Sequence, residues 1–176
     1  HEENDIVTVI KHFPGHGSSS TDTHKEFTDI TESWLVEELY PYHKLIKEDK
    51  AYGIMTSHVV NNRIDDRKLP ATLSDKIINE LLRDFLDYDG VVFSDDMQMG
   101  AITKYFGLDE ALIFSINAGV DVLIFSNNQL YKDMVTPDQV ISSIEESVRR
   151  GDISLLRIEE SFRRIQKLKK KINLIN

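Results

Sequence analysis

The sequence predicts an α/β fold of the (β/α)8 TIM-barrel type, in which parallel strands alternate with the helices that cover them. Four short apolar runs recur along the chain and are separated by segments with helical spacing. Each run is apolar on both faces instead of alternating, which is typical of a parallel strand buried between helices. Four β/α units make about half of such a barrel, which typically needs ~250 residues. The four predicted strands are residues 6–10, 52–56, 91–93 and 120–125.

Capping residues between these runs predict where the helices begin and end. Ser74 can cap a helix whose apolar stripe runs over residues 77–85. A last amphipathic helix is expected to present apolar residues at helical spacing from Ile158 to Ile172. The other expected boundaries are helix starts at Thr136 with Pro137 and at Ser154, helix ends at Gly119 and Gly151, and a break at Pro41.

Composition narrows the class of protein. The chain has 176 residues, a formal net charge of -9 and no cysteine. It can bury one core of domain size, and its spread negative charge predicts no nucleic-acid partner. The basic run at residues 169–171 is interpreted as the solvated end of a helix. The absence of cysteine excludes disulfides and thiolate metal sites, and no apolar run approaches the ~20 residues of a membrane span.

A loop rich in histidine and glycine follows the first predicted strand. It reads Lys11-His12-Phe13-Pro14-Gly15-His16-Gly17 and is followed, four residues later, by Asp22-Thr23-His24. A carboxylate beside an imidazole stabilises the protonated ring and moves its pKa into the range useful for acid/base catalysis. Asp22 and His24 are therefore candidate acid/base residues, and an exposed loop pair without catalytic function is the alternative.

Polar residues stand at the carboxyl ends of the predicted strands, the edge where active sites lie in parallel α/β folds. Asp95 and Asp96 follow the third strand, where a carboxylate acts as a nucleophile, a metal ligand or a helix cap. Adjacent side chains on extended backbone diverge, so we expect only one of the two to face the site. Lys11 and His12 suit a ligand rich in hydroxyls or a structural salt bridge. His58 fits a ligand contact or a structural role, and we place it among the predicted substrate contacts.

Taken in order, these motifs resemble glycoside hydrolase family 3, specifically its bacterial β-N-acetylglucosaminidase branch. The resemblance rests on residues 11–17, on Asp22-Thr23-His24, on Ile54-Met55-Thr56-Ser57-His58-Val59, on Phe93-Ser94-Asp95-Asp96-Met97-Gln98-Met99 and on Ala118-Gly119-Val120-Asp121. It extends from Ile6 to the final helix. It implies that residues 1–176 form the C-terminal half of the family's catalytic barrel domain.

The resemblance also implies roles for the candidate residues in a retaining mechanism. Asp95 corresponds to the nucleophile that forms a covalent glycosyl-enzyme intermediate, His24 to the general acid/base, and Asp22 to the partner of that histidine. Lys11 and His12 match positions that hydrogen-bond the sugar. A histidine acid/base departs from the usual pair of carboxylates. A neutral imidazole repels an anion less than a carboxylate does, so phosphate is an alternative acceptor to water.

The implied substrate is a terminal β-linked N-acetylglucosamine, above all on muropeptides derived from peptidoglycan. No metal or organic cofactor is expected. The resemblance favours a bacterial cytoplasmic protein, with an exported or lipoprotein form as the alternative. The chain begins at His1 and enters a predicted strand almost at once. We therefore expect a further partner, the N-terminal half-barrel, in the same gene product or as a second chain.

Two other interpretations stay open at this point. The first is a metal-dependent hydrolase with ligands drawn from His12, His16, His24, His58 and Asp95. The lysine beside His12 and the loop position of His24 argue against it. The second is a catalytically silent, sugar-binding half-barrel, because an incomplete barrel exposes two strand edges and needs another chain to cover them.

Overall fold

The protein is built on a parallel sheet of four strands, as the sequence predicts. A computed structural model describes residues 6–17, 28–128 and 134–171 of the chain. The strands are β1 (Val9–Phe13), β2 (Thr28–Asp29), β3 (Gly53–Thr56), β4 (Val59–Val60), β5 (Val91–Asp96) and β6 (Val122–Ile124). The main sheet has the order β1-β3-β5-β6 with every neighbouring pair parallel, and β2 pairs with β4 in a small second sheet. All four main strands therefore end at one edge.

Helices separate the strands in the order expected for β/α units. The α-helices are α1 (Tyr40–Lys47), α2 (Gly100–Thr103), α3 (Leu108–Ala118), α4 (Pro137–Arg150) and α5 (Leu155–Lys171), with a π-helix over Lys76–Phe85 and 3-10 turns over Val36–Leu39 and Ala71–Leu73. Thr136 and Gln139 form a capping box at the start of α4. Gly119 and Gly151 take positive φ after α3 and α4, which confirms the predicted ends. In the described ranges, no helix has both the length and the apolar character needed to cross a bilayer.

Strand β1 lies three residues further along the chain than predicted. The prediction placed it at residues 6–10, whereas the ladder with β3 continues to Phe13. Lys11 and His12 are therefore part of the strand, and β5 likewise continues to Asp96. Charged residues resemble a loop when only the sequence is considered, but the carboxyl end of a barrel strand faces a polar cleft, where such side chains are accommodated.

One apolar cluster joins the sheet to the helices. Phe13, Ile54 and Val92 belong to three adjacent strands and are each fully buried. They belong to the same cluster as Ile77 and Leu82 of the π-helix. Each large apolar side chain that is buried stabilises the fold by roughly 1.5–3 kcal/mol, so the sheet and this helix form one packed unit.

Two predicted apolar stripes are buried less than expected. Phe85 ends the stripe of the π-helix and is 72% exposed, and Phe162 in α5 is 61% exposed. The wider turn of a π-helix carries Phe85 away from the face that holds Ile77 and Leu82. Helix α5 has no fully buried residue, and its apolar residues Ile158, Ile165 and Leu168 are only partly buried.

A buried carboxylate holds α5. The side chain of Asp121, just before β6, is fully buried and accepts hydrogen bonds from Arg157 at 2.9 Å and Ser161 at 2.7 Å, both on α5. Arg164, one turn further along α5, lies 3.4 Å from the same oxygen, Oδ1. Arg83 of the π-helix donates to the other oxygen at 2.8 Å. One carboxylate therefore ties two helices to the sheet.

The same carboxylate continues the pairing of β5 with β6. The backbone N–H of Asp121 donates to the carbonyl of Val92 at 2.8 Å, and the N–H of Val92 donates to Asp121 Oδ2 at 3.0 Å. Burial alone would raise the pKa of Asp121. The Arg83 guanidinium and the hydrogen bonds to the carboxylate outweigh burial and hold that pKa below its ordinary value.

We expect Asp121→Asn to destabilise the polypeptide that carries this chain by about 3–5 kcal/mol, because it leaves buried guanidinium groups without their counter-charge. The matched control is Asp89→Asn, which removes an exposed carboxylate facing Arg164 and Lys167 and should cost less than about 1 kcal/mol. Urea unfolding measures both changes. Equal losses from the two substitutions would contradict the assignment.

The stabilisation by Asp121 also depends on pH. Since the pKa of Asp121 is lowered by folding, its stabilisation is present above the ordinary carboxyl pKa and is lost as pH falls through the folded value.

Candidate active site

The two adjacent aspartates at the end of β5 have different surroundings. Asp96 is engaged: its carboxylate accepts the Ser126 hydroxyl at 2.6 Å and the backbone N–H groups of Ser126 and Gln98, both at 3.1 Å. Asp95 Oδ1 accepts the N–H of Asp96 at 2.8 Å. Asp95 Oδ2 lies 3.9 Å from His12 Nε2, beyond hydrogen-bond length. Asp95 therefore presents its carboxylate beside His12, while Asp96 fastens the end of β5 to the segment after β6.

The parallel pairing of β1 with β3 and of β3 with β5 brings Lys11 and His12 to the same edge as Asp95. Lys11 is exposed and His12 is partly exposed. Burial lowers the pKa of His12; the Asp95 carboxylate raises it in opposition, and the positive charge of Lys11 lowers it further. The net effect is a lowered pKa, so His12 is neutral at neutral pH and lies beside Asp95 without forming a charged pair with it.

A cleft of about 770 Å³ opens beside this edge. It carries lysine and histidine on one side and glutamate with apolar groups on the other, which suits a ligand with many hydroxyls and an apolar face. Its lining residues are Lys11, His12, Gly15, His16, Gly17, Leu35, Glu37, Glu38, Pro41 and Tyr42.

The loop that leaves β1 is anchored by two side chains to which the sequence analysis assigned no role. Trp34 Nε1 donates to the carbonyl of Pro14 at 3.0 Å, and Gly17 N donates to Glu38 Oε2 at 3.3 Å. Gly15 has φ of 129°, and a Cβ there would lie 2.5 Å from Glu38 Oε2, so only glycine fits without displacing that carboxylate. In the sequence, the signal for this anchoring was that Trp34 is the single tryptophan of the chain.

The candidate acid/base pair lies further along the sequence. Asp22 and His24 both fall in residues 18–27, outside the part of the chain that the structure describes. Their assignment therefore stays a prediction. The described part of the chain resumes at β2, whose Thr28 and Asp29 pair with Val59 and Val60 of β4. Strand β4 begins directly after His58.

His58 takes a position different from the expected substrate contact. Its side chain is fully buried, and both ring nitrogens have partners: Nε2 lies 2.9 Å from the Asp96 carbonyl oxygen and Nδ1 lies 2.9 Å from the Thr72 hydroxyl. A ring with both nitrogens engaged beneath the surface has no polar atom left for a sugar. The geometry thus favours the structural alternative for His58.

The metal-hydrolase interpretation requires several of its suggested ligands to lie together. Within the described residues, no group of three or more histidine, cysteine, aspartate or glutamate side chains lies close enough to hold a metal ion. Of the suggested ligands, His12 and Asp95 are neighbours, the ring of His16 lies 6.1 Å from that of His12, and His58 is engaged elsewhere. His24 lies outside these residues.

Comparison with known proteins shows which family the sequence matches. The family model for the glycosyl hydrolase family 3 N terminal domain matches residues 1–168. A Beta-hexosaminidase of Alkalilimnicola ehrlichii is 39% identical over 126 residues, which cover 70% of this chain and 35% of that protein. The chain spans about a third of the length of the curated relatives it matches.

Solved structures of family members superpose on this chain. A glycoside hydrolase family 3 beta-N-acetylglucosaminidase from Paenibacillus sp. str. FPU-7 superposes with a TM-score of 0.86 at 31% identity, covering 98% of this chain and 32% of that one. A Beta-glucoside phosphorylase, BglX, superposes with a TM-score of 0.83 at 27% identity, covering 96% of this chain and 31% of that one. These matches confirm the predicted TIM-barrel type of fold.

The pKa of His12 offers a test of the site's electrostatics. We expect Asp95→Asn to lower that pKa further, because the substitution removes the negative charge that opposes burial. Lys11→Met should have the opposite effect and raise it, since it removes a positive charge. An NMR titration of the histidine ring signals measures both. Shifts of the same sign in the two variants would contradict the described arrangement.

Proposed function

Because this chain belongs to the family of glycosyl hydrolase family 3 N-terminal domains, we propose that it supplies the nucleophile of a retaining β-hexosaminidase. The substrate we propose is a terminal β-linked N-acetylglucosamine, as carried by muropeptides from peptidoglycan. The observation that carries the proposal is Asp95, a carboxylate at the carboxyl end of β5 with one oxygen held by a backbone N–H and the other beside His12. The named hexosaminidase and glucosaminidase relatives support this substrate class.

The proposed reaction has two displacement steps. In the first, an Asp95 oxygen attacks the anomeric carbon, the bond from that carbon to the leaving oxygen breaks, and the leaving oxygen takes a proton from the acid/base residue. In the second, water attacks the same carbon, returns a proton to that residue, and the ester to Asp95 breaks. Two inversions restore the original anomeric configuration.

We assign the acid/base role to His24 with Asp22 as its partner, on the resemblance of the residue 11–24 segment to the family motif. Lys11 and His12 then orient the sugar. Both stand on β1 at the edge that holds Asp95, and their donors complement hydroxyl groups, so fixed contacts there lower the entropic cost of reaching the transition state.

We also propose that residues 1–176 are the C-terminal half of the catalytic barrel. The main sheet ends at β1 on one side and β6 on the other. Parallel barrels have no free edges, so further strands complete this one. Large apolar side chains left exposed by the described residues agree with surfaces that other elements cover: they include Leu35, Val36, Tyr40, Leu155, Leu156 and Phe162.

Phosphorolysis is a second candidate, favoured by the likeness to the Beta-glucoside phosphorylase. Phosphate would then take the place of water in the second displacement and give a sugar 1-phosphate. Product analysis with and without inorganic phosphate separates the two reactions, since only phosphorolysis forms the sugar 1-phosphate.

We expect Asp95→Asn to lower the hydrolysis of 4-nitrophenyl N-acetyl-β-D-glucosaminide at least about a thousandfold, since the amide cannot form the covalent intermediate. Release of 4-nitrophenol measures the rate. The matched control for loss of a charge is Asp89→Asn, which removes an exposed carboxylate before the other end of β5 and should keep parental activity. Peptide mass spectrometry of a fluorosugar-inactivated sample should place the label on Asp95. A label on Asp96, or full activity of Asp95→Asn, would refute the assignment.

The half-barrel proposal has its own test. We expect the active species to contain strands beyond the four of the main sheet, in one polypeptide or in a tightly bound second chain. Size-exclusion chromatography of the active fraction, followed by intact mass measurement, identifies that species. Normal turnover by a monomer of 20.3 kDa would contradict the proposal.

A further inference from the structure

A chain of buried polar groups runs from β3 to the end of β5. Thr56 Oγ1 lies 2.8 Å from Thr72 Oγ1, which lies 2.9 Å from His58 Nδ1, and His58 Nε2 lies 2.9 Å from the Asp96 carbonyl oxygen. Thr56, Thr72 and His58 are all fully buried. Buried polar groups are costly unless hydrogen-bonded, and each of these side chains has a hydrogen-bond partner.

The Asp96 carbonyl fixes the direction of its hydrogen bond with His58. A carbonyl oxygen only accepts, so His58 Nε2 carries the proton and donates to Asp96. Burial lowers the pKa of His58, against the opposing effect of the Asp96 backbone and the nearby carboxylates. The ring is therefore neutral, and its Nδ1 is an acceptor. The Thr72 hydroxyl lies 2.9 Å from Nδ1 and 2.9 Å from the Ser57 carbonyl oxygen, so its one proton is shared between these two acceptors.

This series of hydrogen bonds ends at Asp96, the residue next to the proposed nucleophile Asp95. The backbone of Asp96 is held from both sides: its carbonyl accepts from His58, and its N–H donates to Asp95 Oδ1 at 2.8 Å. The side chain of Asp96 is fastened separately to Ser126. A displacement of the Asp96 backbone would therefore move the N–H that orients the Asp95 carboxylate.

We propose that His58 is a positioning residue, whose Nε2–H holds the Asp96 backbone and thereby sets the orientation of the Asp95 carboxylate. The proposal rests on the proposed function of Asp95. It also explains why the segment after β4 returns to the site: the Ala71–Leu73 turn brings Thr72 to the imidazole, and the backbone N–H of Thr72 donates to the Ser57 carbonyl at 3.1 Å.

The test compares two amides at position 58 in the polypeptide that carries this chain. The amide nitrogen of glutamine reaches the place of imidazole Nε2, whereas asparagine reaches only the place of Nδ1. We expect His58→Asn to lower kcat by about 10- to 100-fold with KM changed less than about threefold, since the nucleophile is misplaced while sugar contacts remain. His58→Gln should restore kcat to within about threefold to fivefold of the parent.

A second pair of variants, at Thr72, tests the same role if the His58 variants fail to fold. Thr72→Val removes the hydroxyl that contacts His58 Nδ1 at nearly constant volume, and Thr72→Ser keeps that hydroxyl. We expect the valine variant to lose about tenfold in kcat and the serine variant to lose less than threefold. The rate constant for inactivation by a fluorosugar, which reports attack by Asp95, should fall in parallel with kcat.

The outcomes separate the two proposals. If the parent protein neither turns over substrate nor labels at Asp95, the proposed function fails. If the parent does both, but His58→Asn and Thr72→Val lower only the thermal unfolding midpoint and leave kcat and the inactivation rate at parental values, His58 is a core residue and the positioning role is overturned. Equal kcat for the Asn and Gln variants would also overturn it, because the role requires the Nε2 donor.

Discussion

The buried carboxylate of Asp121 is the interaction on which the arrangement of this chain depends. It joins the amino end of the β5–β6 pair to Arg83 of the π-helix and to Arg157 and Ser161 of α5. Apolar burial of α5 is only partial, since none of its residues is fully buried. Several guanidinium groups share one carboxylate, and the arginines also donate to backbone carbonyls, as Arg157 does to Ile116 and Val120. Such a node gives little net stability but a strict geometry, because any misplaced helix leaves a buried charge unpaired.

A second carboxylate does similar work at the opposite end of the same strand pair. Asp96 ties β5 to the segment after β6 through Ser126, as Asp121 ties the two strands where they begin. Between them the register of the pair shifts, from Phe93 opposite Val122 to Asp96 opposite Ile124. Side chains thus hold the ladder where its backbone pairing is irregular. The strand that carries the proposed nucleophile is fixed at both ends by charge and not by apolar packing alone.

Local chemistry made much of the fold predictable, and distant partners made the rest unpredictable. The caps at Thr136, Gly119 and Gly151 depend on neighbours within four residues, so their sequence signals were sufficient. The end of β1 depended on pairing with β3 and was placed three residues too early. In the site, local sequence rules do not distinguish two adjacent aspartates. Distant partners do so: Ser126, 30 positions away, binds Asp96, and His12 lies beside Asp95. The burial of His58 likewise depended on Thr72, which no short pattern connects to it.

The division of labour between the two aspartates follows from what each carboxylate can still do. Both carboxylate oxygens of Asp96 accept hydrogen bonds, from Ser126 and Gln98. Such a carboxylate is a poor nucleophile because attack would break those hydrogen bonds. Asp95 bonds one oxygen to a backbone N–H, which orients the group without adding a formal positive charge. His12 lies 3.9 Å from the other oxygen, and its lowered pKa keeps it neutral at neutral pH. Asp95 is therefore not neutralised by a tight ion pair with that ring, which suits the proposed attack on an electron-poor carbon. Of the two aspartates at the end of β5, the partial burial of His12 and the hydrogen bonding of Asp96 thus favour Asp95 for the proposed role.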